Sequence, residues 1–139
     1  MTTPAKIKLT LYQGATQRVP LQRRYLPFAV TGDECSGYKN ACTGAPVLPT
    51  DYTDEDYTGC SARMQIREDV GAPAVLVELT SVGGGIELAG DTLTLVFQPA
   101  DTTGKNFDTA VGHVEVIRPN GDVERHYEIA VTLSQEVTL

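Results

Sequence analysis

The amino-acid sequence predicts an all-β protein, a β-sandwich of about seven or eight strands that is immunoglobulin-like or jelly-roll-like, with one long loop insertion. Several segments alternate apolar and polar residues with a period of two, as half-buried strands do. The same segments are rich in Val, Ile, Leu and Thr. No window carries the apolar stripe of an amphipathic helix. The 139 residues suit a single domain, 1–139.

The strands follow from these alternations in chain order. The first places Ile7 and Leu11 on one face of the chain. The last has Arg125 on the apolar side of the pattern and His126 on the polar side, so we expect His126 to be exposed. The alternating segments are residues 6–12, 61–67, 75–79, 92–98, 114–118 and 123–134.

Turn signals separate these segments. Residues 119–122 contain Asn-Gly, which predicts a hairpin whose two central residues both have positive φ. Residues 69–73 predict a second hairpin connection. Residues 83–85 are three glycines, but they lack the Lys-Ser/Thr and the helix of a phosphate loop, so they predict a plain turn. Residues 99–103 predict one helical turn that begins at a proline and ends at Gly104.

Residues 32–59 interrupt the pattern and predict a long irregular loop. It separates a basic N-terminal arm with the first strands (1–32) from a strand-rich body (60–139). A loop of this length is usually functional or ordered by a partner. It holds three of the six tyrosines, Tyr38, Tyr52 and Tyr57, and tyrosine gives large contact area at low entropic cost. A binding loop and a surface excursion without a partner both fit the sequence.

The charges divide the chain in the same way. Residues 1–32 hold five bases and no acid, whereas residues 33–139 hold six bases and 18 acids, a net charge of −12. The basic arm therefore either meets the acidic body of a neighbouring copy or folds back on its own subunit. An acidic body argues against nucleic acid as a partner. The residues predicted to form contacts between subunits are Lys6, Lys8, Arg18, Arg23, Arg24, Tyr38, Tyr52, Asp54, Glu55, Asp56 and Tyr57.

Membrane and redox signals are weak. No apolar run approaches the roughly 20 residues of a membrane helix, and the first residues lack the apolar region of a signal peptide. The spacing of Cys35, Cys42 and Cys60 matches no zinc pattern. A disulfide between Cys35 and Cys42 is geometrically possible, whereas the odd count without an export signal favours free thiols.

The sequence predicts neither a metal nor a catalytic site. Asp51, Asp54, Glu55 and Asp56 offer oxygen ligands for Ca²⁺, but their spacing departs from the EF-hand, so a solvated loop is expected. No serine or cysteine stands in a motif with a base and an orienting group. We therefore expect no enzymatic activity and no cofactor.

Two further sets of polar residues do not indicate a catalytic or phosphate-binding site. His113 and His126 lie in predicted strands, outside any catalytic motif. Arg63, Gln65 and Arg67 form a polar stripe on one strand face, which we expect to pair with carboxylates of the body rather than to bind phosphate.

Several phrases of the sequence resemble a known group of proteins. They are IKLTLYQGAT (7–16), YTGCSARMQIR (57–67), AVLVELT (74–80), GGIEL (84–88), PNGDVER (119–125) and VTLSQEVT (131–138). Together they resemble small structural proteins of tailed-phage and prophage virions and, more distantly, the N-terminal immunoglobulin-like domain of phage upper-baseplate proteins. The resemblance covers roughly residues 6–18 and 57–139. It carries no catalytic residue.

The resemblance implies a virion component that is made in the host cytoplasm and attached to the tail, baseplate or fibres. Its implied partners are other virion proteins and copies of itself in a symmetric homo-oligomer. A capsid decoration protein, which cements the head shell, is the alternative. A carbohydrate- or receptor-binding module that uses the loop tyrosines is a further one. The chain departs from the pattern between about Val19 and Asp56, where similar proteins have a short connection.

Overall fold

Two facing β-sheets make up most of the computed structural model, which describes residues 4–137. Residues 1–3 and 138–139 of the predicted domain lie outside the described residues. A 3₁₀ turn spans Pro49–Asp51 and a single-turn helix, α1, spans Pro99–Thr102. The strands are β1 (Ala5–Tyr12), β2 (Gln17–Gln22), β3 (Arg24–Tyr25), β4 (Val30–Asp33), β5 (Gly37–Asn40), β6 (Thr53–Asp54), β7 (Ser61–Arg67), β8 (Val77–Thr80), β9 (Ile86–Ala89), β10 (Thr92–Phe97), β11 (Thr109–Ile117) and β12 (Val123–Ser134).

The first sheet has five strands in the order β1-β12-β11-β7-β8. The strand β1 runs parallel to β12, with Ile7 opposite Ile129 and Leu11 opposite Leu133, and the other neighbours are antiparallel. Residues 5–22 of the basic N-terminal arm are therefore part of the sandwich itself, because β1 belongs to this sheet and β2 to the other.

The second sheet has three antiparallel strands in the order β2-β10-β9. The core lies between the two sheets, and burial of each large apolar side chain there contributes about 1.5–3 kcal/mol. The prediction of an all-β sandwich is confirmed, with eight strands in the two facing sheets. The core residues with 0% exposure are Leu11, Met64, Ile66, Leu93, Leu95, Val114 and Val116.

The hairpin predicted at residues 119–122 joins β11 to β12, but its conformation differs from the prediction. Gly121 has a φ of 95°, whereas Asn120 does not have positive φ. The Gly121 N–H donates to the Arg118 carbonyl at 2.9 Å, and the Arg118 N–H donates to the Asp122 carbonyl at 2.8 Å. This is a three-residue connection, which fits Pro119 because proline fixes φ near −65°. The connection predicted at 69–73 joins β7 to β8, as expected.

A β-bulge in β12 reverses the expected exposure of His126. Val114 lies opposite Tyr127 and Glu115 opposite Arg125, which leaves His126 as an extra residue. Both His126 and Tyr127 are therefore buried, and Arg125 is exposed. The expectation that His126 is exposed is wrong, because strict alternation holds only where the two strands stay in register.

The segment predicted as an irregular loop contains short regular elements. The strands β4 and β5 pair as a hairpin, the 3₁₀ turn follows, and β6 returns to pair with β3. The prediction of a wholly irregular loop was wrong, because strands of two to four residues are too short to show a period of two. We call residues 24–54 the insert.

Candidate functional site

The two ends of the insert meet at a narrow neck on the sandwich. Pairing of β3 with β6 joins the ends to each other. The Glu55 N–H donates to the Arg23 carbonyl at 3.0 Å. The Arg23 N–H donates to the Asp91 carbonyl at 3.0 Å and the Tyr57 N–H to the Gly90 carbonyl at 2.8 Å, so the neck is fixed on the β9–β10 turn.

An ion-pair network lies directly beneath this neck. The side chain of Glu55 is 3% exposed and pairs with Arg23. Arg118 donates from Nη1 to Oε1 of Glu55 at 2.8 Å and from Nη2 to Oε2 at 3.0 Å. The same guanidinium donates to Oε1 of Glu124 from Nε at 3.0 Å and from Nη2 at 2.8 Å. Two-point pairing of this kind fixes both distance and orientation.

The network continues to a buried histidine and a buried tyrosine. Oε1 of Glu124 lies 2.8 Å from Nε2 of His126, and Nδ1 of His126 lies 3.0 Å from the Tyr57 hydroxyl. An ionised carboxylate can only accept, so Nε2 carries the proton and Nδ1 accepts from Tyr57. Burial lowers the pKa of His126, which favours the neutral ring. We call these six residues the polar cluster: Arg23, Glu55, Tyr57, Arg118, Glu124 and His126.

Both glutamates of the polar cluster have a lowered pKa, so they are ionised at neutral pH. Burial by itself raises the pKa of Glu55, but hydrogen bonds and charges from Arg118 and Arg23 outweigh it, and the pKa lies below its ordinary value. Burial likewise opposes ionisation of Glu124, but bonds from His126 and Arg118 lower its pKa. With His126 neutral, the two arginines balance the two glutamates.

A second tyrosine borders the polar cluster without joining it. The Tyr127 hydroxyl is buried and lies close to the Tyr57 hydroxyl, but by distance and angle it has no hydrogen-bond partner in the described part of the chain. Burial raises the pKa of both Tyr57 and Tyr127, so both hydroxyls stay protonated. An unpaired buried hydroxyl has a cost in stability.

Exposed aromatic residues gather on the insert above the neck. Tyr38 is 48% exposed and Tyr52 is 42% exposed. A groove of about 330 Å³ lies between them and is also lined by Arg24 and Leu48. A larger groove shares Arg24 and Tyr52 and extends to Tyr25. We define the aromatic patch by its exposed large apolar residues, which are Tyr25, Val30, Tyr38, Leu48 and Tyr52.

Two arginines hold aromatic rings at the base of the patch. The guanidinium of Arg24 lies 5.9 Å from the ring centre of Tyr52 and forms an ion pair with Asp54 at 3.0 Å. The guanidinium of Arg23 lies 5.5 Å from the ring centre of Tyr25. Stacking of this kind stabilises a ring by about 0.5–1 kcal/mol at exposed sites.

The β4–β5 hairpin projects from the insert into solvent. Residues 30–39 are all exposed. Oδ1 of Asp33 accepts from the N–H groups of Cys35 and Ser36 at 2.9 and 2.7 Å, and these bonds to Ser36 and Cys35 lower the pKa of Asp33. Cys35 and Cys42 are exposed free thiols in this structure, which agrees with the free-thiol alternative.

The structure brings together only some of the predicted interface residues. Arg24, Tyr38, Tyr52 and Asp54 share the aromatic patch or its base. Tyr57 is 2% exposed, and the side chain of Arg23 is 13% exposed. The expectation that Tyr57, Arg23 and the buried Glu55 belong to an exposed surface is therefore wrong, because the polar cluster draws them beneath the neck.

The other predicted residues lie elsewhere. Lys6 and Lys8 are exposed on β1, and Asp56 binds the Thr58 N–H and hydroxyl at 3.0 and 2.7 Å. Arg18 on β2 pairs with Glu87. The pairs Arg23–Glu55 and Arg24–Asp54 also lie within one subunit. These three contacts agree with the alternative in which the arm's arginines fold back on their own subunit.

The predicted acidic cluster is divided among separate partners. Asp51 accepts from the Leu48 N–H at 2.8 Å, Asp54 pairs with Arg24, and Glu55 is buried with two arginines. Across residues 4–137, no three His, Cys, Asp or Glu side chains are grouped to hold a metal ion.

The polar stripe on β7 pairs largely as expected. Arg63 contacts Glu115 at 3.2 Å, and Gln65 donates to Glu78 at 2.8 Å. Arg67 donates instead to the Ala72 carbonyl at 2.7 Å.

Sequence reasoning missed Arg118, Glu124, His126 and Tyr127 as members or neighbours of the site. One signal was present, because Arg118 continues the inward-facing series of Val114 and Val116. A charged residue on the inward side of a strand indicates a buried partner. The bulge that buries His126 leaves no such signal.

Comparison with known proteins adds no family to this description. No protein-family model matches the chain, and no curated protein matches it. Over the described range, 4–137, none of the helical segments is long and apolar enough to cross a membrane.

Proposed function

We propose that this protein is a structural subunit of a tailed-phage virion, attached to the tail, baseplate or fibres, which acts through protein–protein contacts. The aromatic patch is the observation that carries the proposal. Single exposed apolar residues are ordinary, but a group of them on one exposed segment is typical of an interaction site. The resemblance of the remaining chain to virion proteins supports the same function.

The chemistry of the patch fits a protein partner. Tyrosine and arginine supply most of the binding energy in many interfaces. Arg24 is held between Tyr52 and Asp54, so little side-chain entropy is lost when a partner binds. The polar cluster anchors the neck below and keeps the patch in a fixed position.

The same geometry argues against a catalytic role. Glu124, His126 and Tyr57 form an acid–histidine–hydroxyl chain, an order of groups that nucleophilic catalysis uses. However, His126 is 0% exposed and Tyr57 is 2% exposed, so a substrate cannot reach either group. We propose that this row of three hydrogen-bonded side chains stabilises the fold instead.

Labelling of particles tests the function directly. Particles are purified from an induced lysate of the host that encodes the chain, and they are treated with gold-conjugated antibody against it. We expect gold on the tail or baseplate. Gold on the head would favour the capsid-decoration alternative, and particles without gold would refute a virion role.

A pair of variants tests the patch. We expect the double variant Tyr38→Ala/Tyr52→Ala to fold normally and to be lost from particles, because the exposed rings provide binding and not core packing. Tyr12→Ala is the matched control, since Tyr12 is 56% exposed on β1 outside the patch. Normal incorporation of the double variant would contradict the role of the patch.

The groove between Tyr38 and Tyr52 favours one second candidate, a carbohydrate- or receptor-binding module. Tyrosine rings can stack on sugars, and Arg24 at the groove can donate to their hydroxyls. Binding of the isolated protein to a glycan array, lost in Tyr52→Ala and kept in Tyr12→Ala, would support this candidate. A chain that acts only through protein contacts gives no glycan signal.

A further inference from the structure

The strand β1 leaves part of its outer edge open. It is the terminal strand of the five-stranded sheet and pairs with β12 on one side only. Nε2 of Gln17 donates to the Thr10 carbonyl at 2.9 Å, and its Oε1 accepts from the Tyr12 N–H at 3.3 Å. The side chain of Gln17 thus covers one end of this edge, and within residues 4–137 no other segment forms main-chain hydrogen bonds to residues 6–9 on this side.

These bonds also show which residues face the open edge. Gln13 donates its N–H to Ser134 of β12 at 2.9 Å, whereas the main-chain groups of Thr10 and Tyr12 point to Gln17 on the opposite side. Successive residues of a strand direct their main-chain groups to alternate sides. Lys6 and Lys8 therefore direct theirs to the open edge, with their side chains on the exposed face of the sheet.

The strand β8 forms the opposite edge of the same sheet. Just after β8, the Ser81 N–H donates to the Ala62 carbonyl of β7 at 2.9 Å. Because main-chain groups point to alternate sides along a strand, this bond shows which residues of β8 face β7. Glu78 and Thr80 thus direct their main-chain groups away from β7. The Thr80 carbonyl already accepts from the Gly85 N–H at 3.0 Å, so a new strand at this edge would bind mainly the main-chain groups of Glu78. Glu78 is exposed, and Gln65 holds its carboxylate on the outer face at 2.8 Å.

We propose that β8 of one copy adds to the open edge of β1 of a second copy, so that the five-stranded sheet continues from subunit to subunit. The strand directions allow it. Starting from β1, the neighbours are one parallel and then three antiparallel pairs, so β8 runs opposite to β1. Copies placed side by side in the same orientation therefore bring β8 and β1 together as an antiparallel pair.

Strand length and charge select one register. The four residues of β8 match the open residues 6–9, which places Glu78 opposite Lys8 and Thr80 opposite Lys6. The main-chain N–H and C=O groups of Lys8 and Glu78 point toward each other across the contact. Their side chains both lie on the exposed outer face of the sheet. They form a hydrogen-bonded pair of opposite charge. Pairing of two β1 strands would instead bring lysines together, which disfavours that arrangement.

The proposed contact is head-to-tail and uses two different surfaces of each subunit. Repetition of such a contact gives a ring if the rotation closes and a filament if it does not. It uses the ends of the five-stranded sheet and not the aromatic patch. It therefore does not depend on the function assigned to the patch.

Charge reversal tests the pairing. Sedimentation velocity of the full chain at low ionic strength, over a range of concentrations, measures self-association. We expect wild-type association to weaken with added salt, and Lys8→Glu or Glu78→Lys alone to weaken it about tenfold. An equimolar mixture of the two variants should recover wild-type association, because each contact again joins opposite charges. Lys39→Glu, at an exposed site on β5, is the matched control and should behave as wild type.

A backbone variant separates strand pairing from a simple charge effect. Lys8→Pro loses both the charge and the outward N–H, whereas Lys8→Ala loses the charge alone, and both keep the bonds to β12. Association should therefore be weaker in Lys8→Pro than in Lys8→Ala, and equal association in the two variants would argue against strand pairing. A wild-type protein that stays monomeric, or a mixture that recovers nothing, would overturn the proposal. Tyr38→Ala/Tyr52→Ala should self-associate as wild type, so failure of the patch and failure of the edge contact give different results.

Discussion

Arg118 binds both carboxylate oxygens of Glu55, at 2.8 and 3.0 Å, although the two residues are 63 positions apart in the chain. Arg118 directly follows β11, and Glu55 directly follows β6, the last strand of the insert. The pair thus connects the sandwich to the neck of the insert. Because a guanidinium fork and a carboxylate match in only one plane, the contact fixes the angle of the neck as well as its position.

Removal of the Glu55 charge should strongly destabilise the fold. We expect Glu55→Gln to lower the free energy of unfolding by about 3 kcal/mol, because Arg23 and Arg118 then share a buried site without their carboxylate. Urea denaturation measures the loss. Asp54→Asn is the control, since the side chain of Asp54 is 65% exposed, and it should cost less than about 1 kcal/mol. Equal losses in the two variants would show that the buried Glu55 contact stabilises the fold no more than the exposed Asp54 contact.

Loss of the hydroxyl should lower the stability of the fold at Tyr57 but not at its neighbour Tyr127. Tyr57→Phe leaves Nδ1 of the buried His126 without a donor and should cost about 1–3 kcal/mol. Tyr127→Phe removes a buried hydroxyl that has no partner among residues 4–137, so stability should be unchanged or higher. Thermal unfolding of both variants tests the pair. The hydrogen-bond assignment fails if Tyr127→Phe proves the more harmful change.

Stability should fall as the pH drops below about 6.5, the ordinary pKa of histidine. The folded protein lowers the pKa of His126, so the unfolded chain binds the proton first. This contribution is fully present above the unfolded pKa and is lost as pH falls toward the folded one. Glu55 and Glu124, whose pKa values are also lowered, add a second loss below their ordinary value of 4.5.

His126→Gln isolates the histidine contribution. Glutamine can still donate to Glu124 and accept from Tyr57, but it does not titrate. Urea denaturation at pH 8, 7, 6 and 5 should show a smaller decrease for His126→Gln than for wild type between about pH 6.5 and 5. An identical decrease in both proteins would show that groups other than His126 cause the loss of stability.

The β4–β5 hairpin should depend on glycine at position 32. Gly32 has a φ of 106°, and a Cβ there would lie 2.1 Å from the Gly37 carbonyl oxygen. Gly32→Ala should therefore open the hairpin and speed hydrogen exchange in residues 30–40, while β7 and β11 stay protected. Gly37→Ala is the matched control, with a φ of 84° and no atom within 4 Å of the added Cβ, and its effect should be smaller. Exchange that spreads through β11 would contradict a local role.

Local patterns of residues predicted most of the sandwich. The alternations at Ile7 and Leu11 and at Ile129 and Leu133 indicated strands that the structure contains, because the inward and outward sides of a regular strand depend only on position along it. The strand β2 was not among the predicted segments. It has Val19 and Leu21 on its inner side, but a proline between them.

The site could not be predicted in the same way, because its members come together only through pairing of distant segments. Arg23, Glu55 and Arg118 look like ordinary surface charges until the neck is closed over them. Their partners are 32 and 63 residues away, and no local pattern encodes a contact at that separation.

By itself the sequence determined the fold class, the main strands and turns, and the division into a basic first part and an acidic body. Each of these depends on neighbouring residues or on composition. The tertiary structure alone decided what the charges do. One extra residue in β12 turns His126 inward, the neck places Glu55 between two arginines, and the sheet leaves Lys8 and Glu78 on opposite edges. Burial and pairing across sheets depend on where the whole chain lies, so the same residue types form a buried anchor in one place and an exposed edge in another.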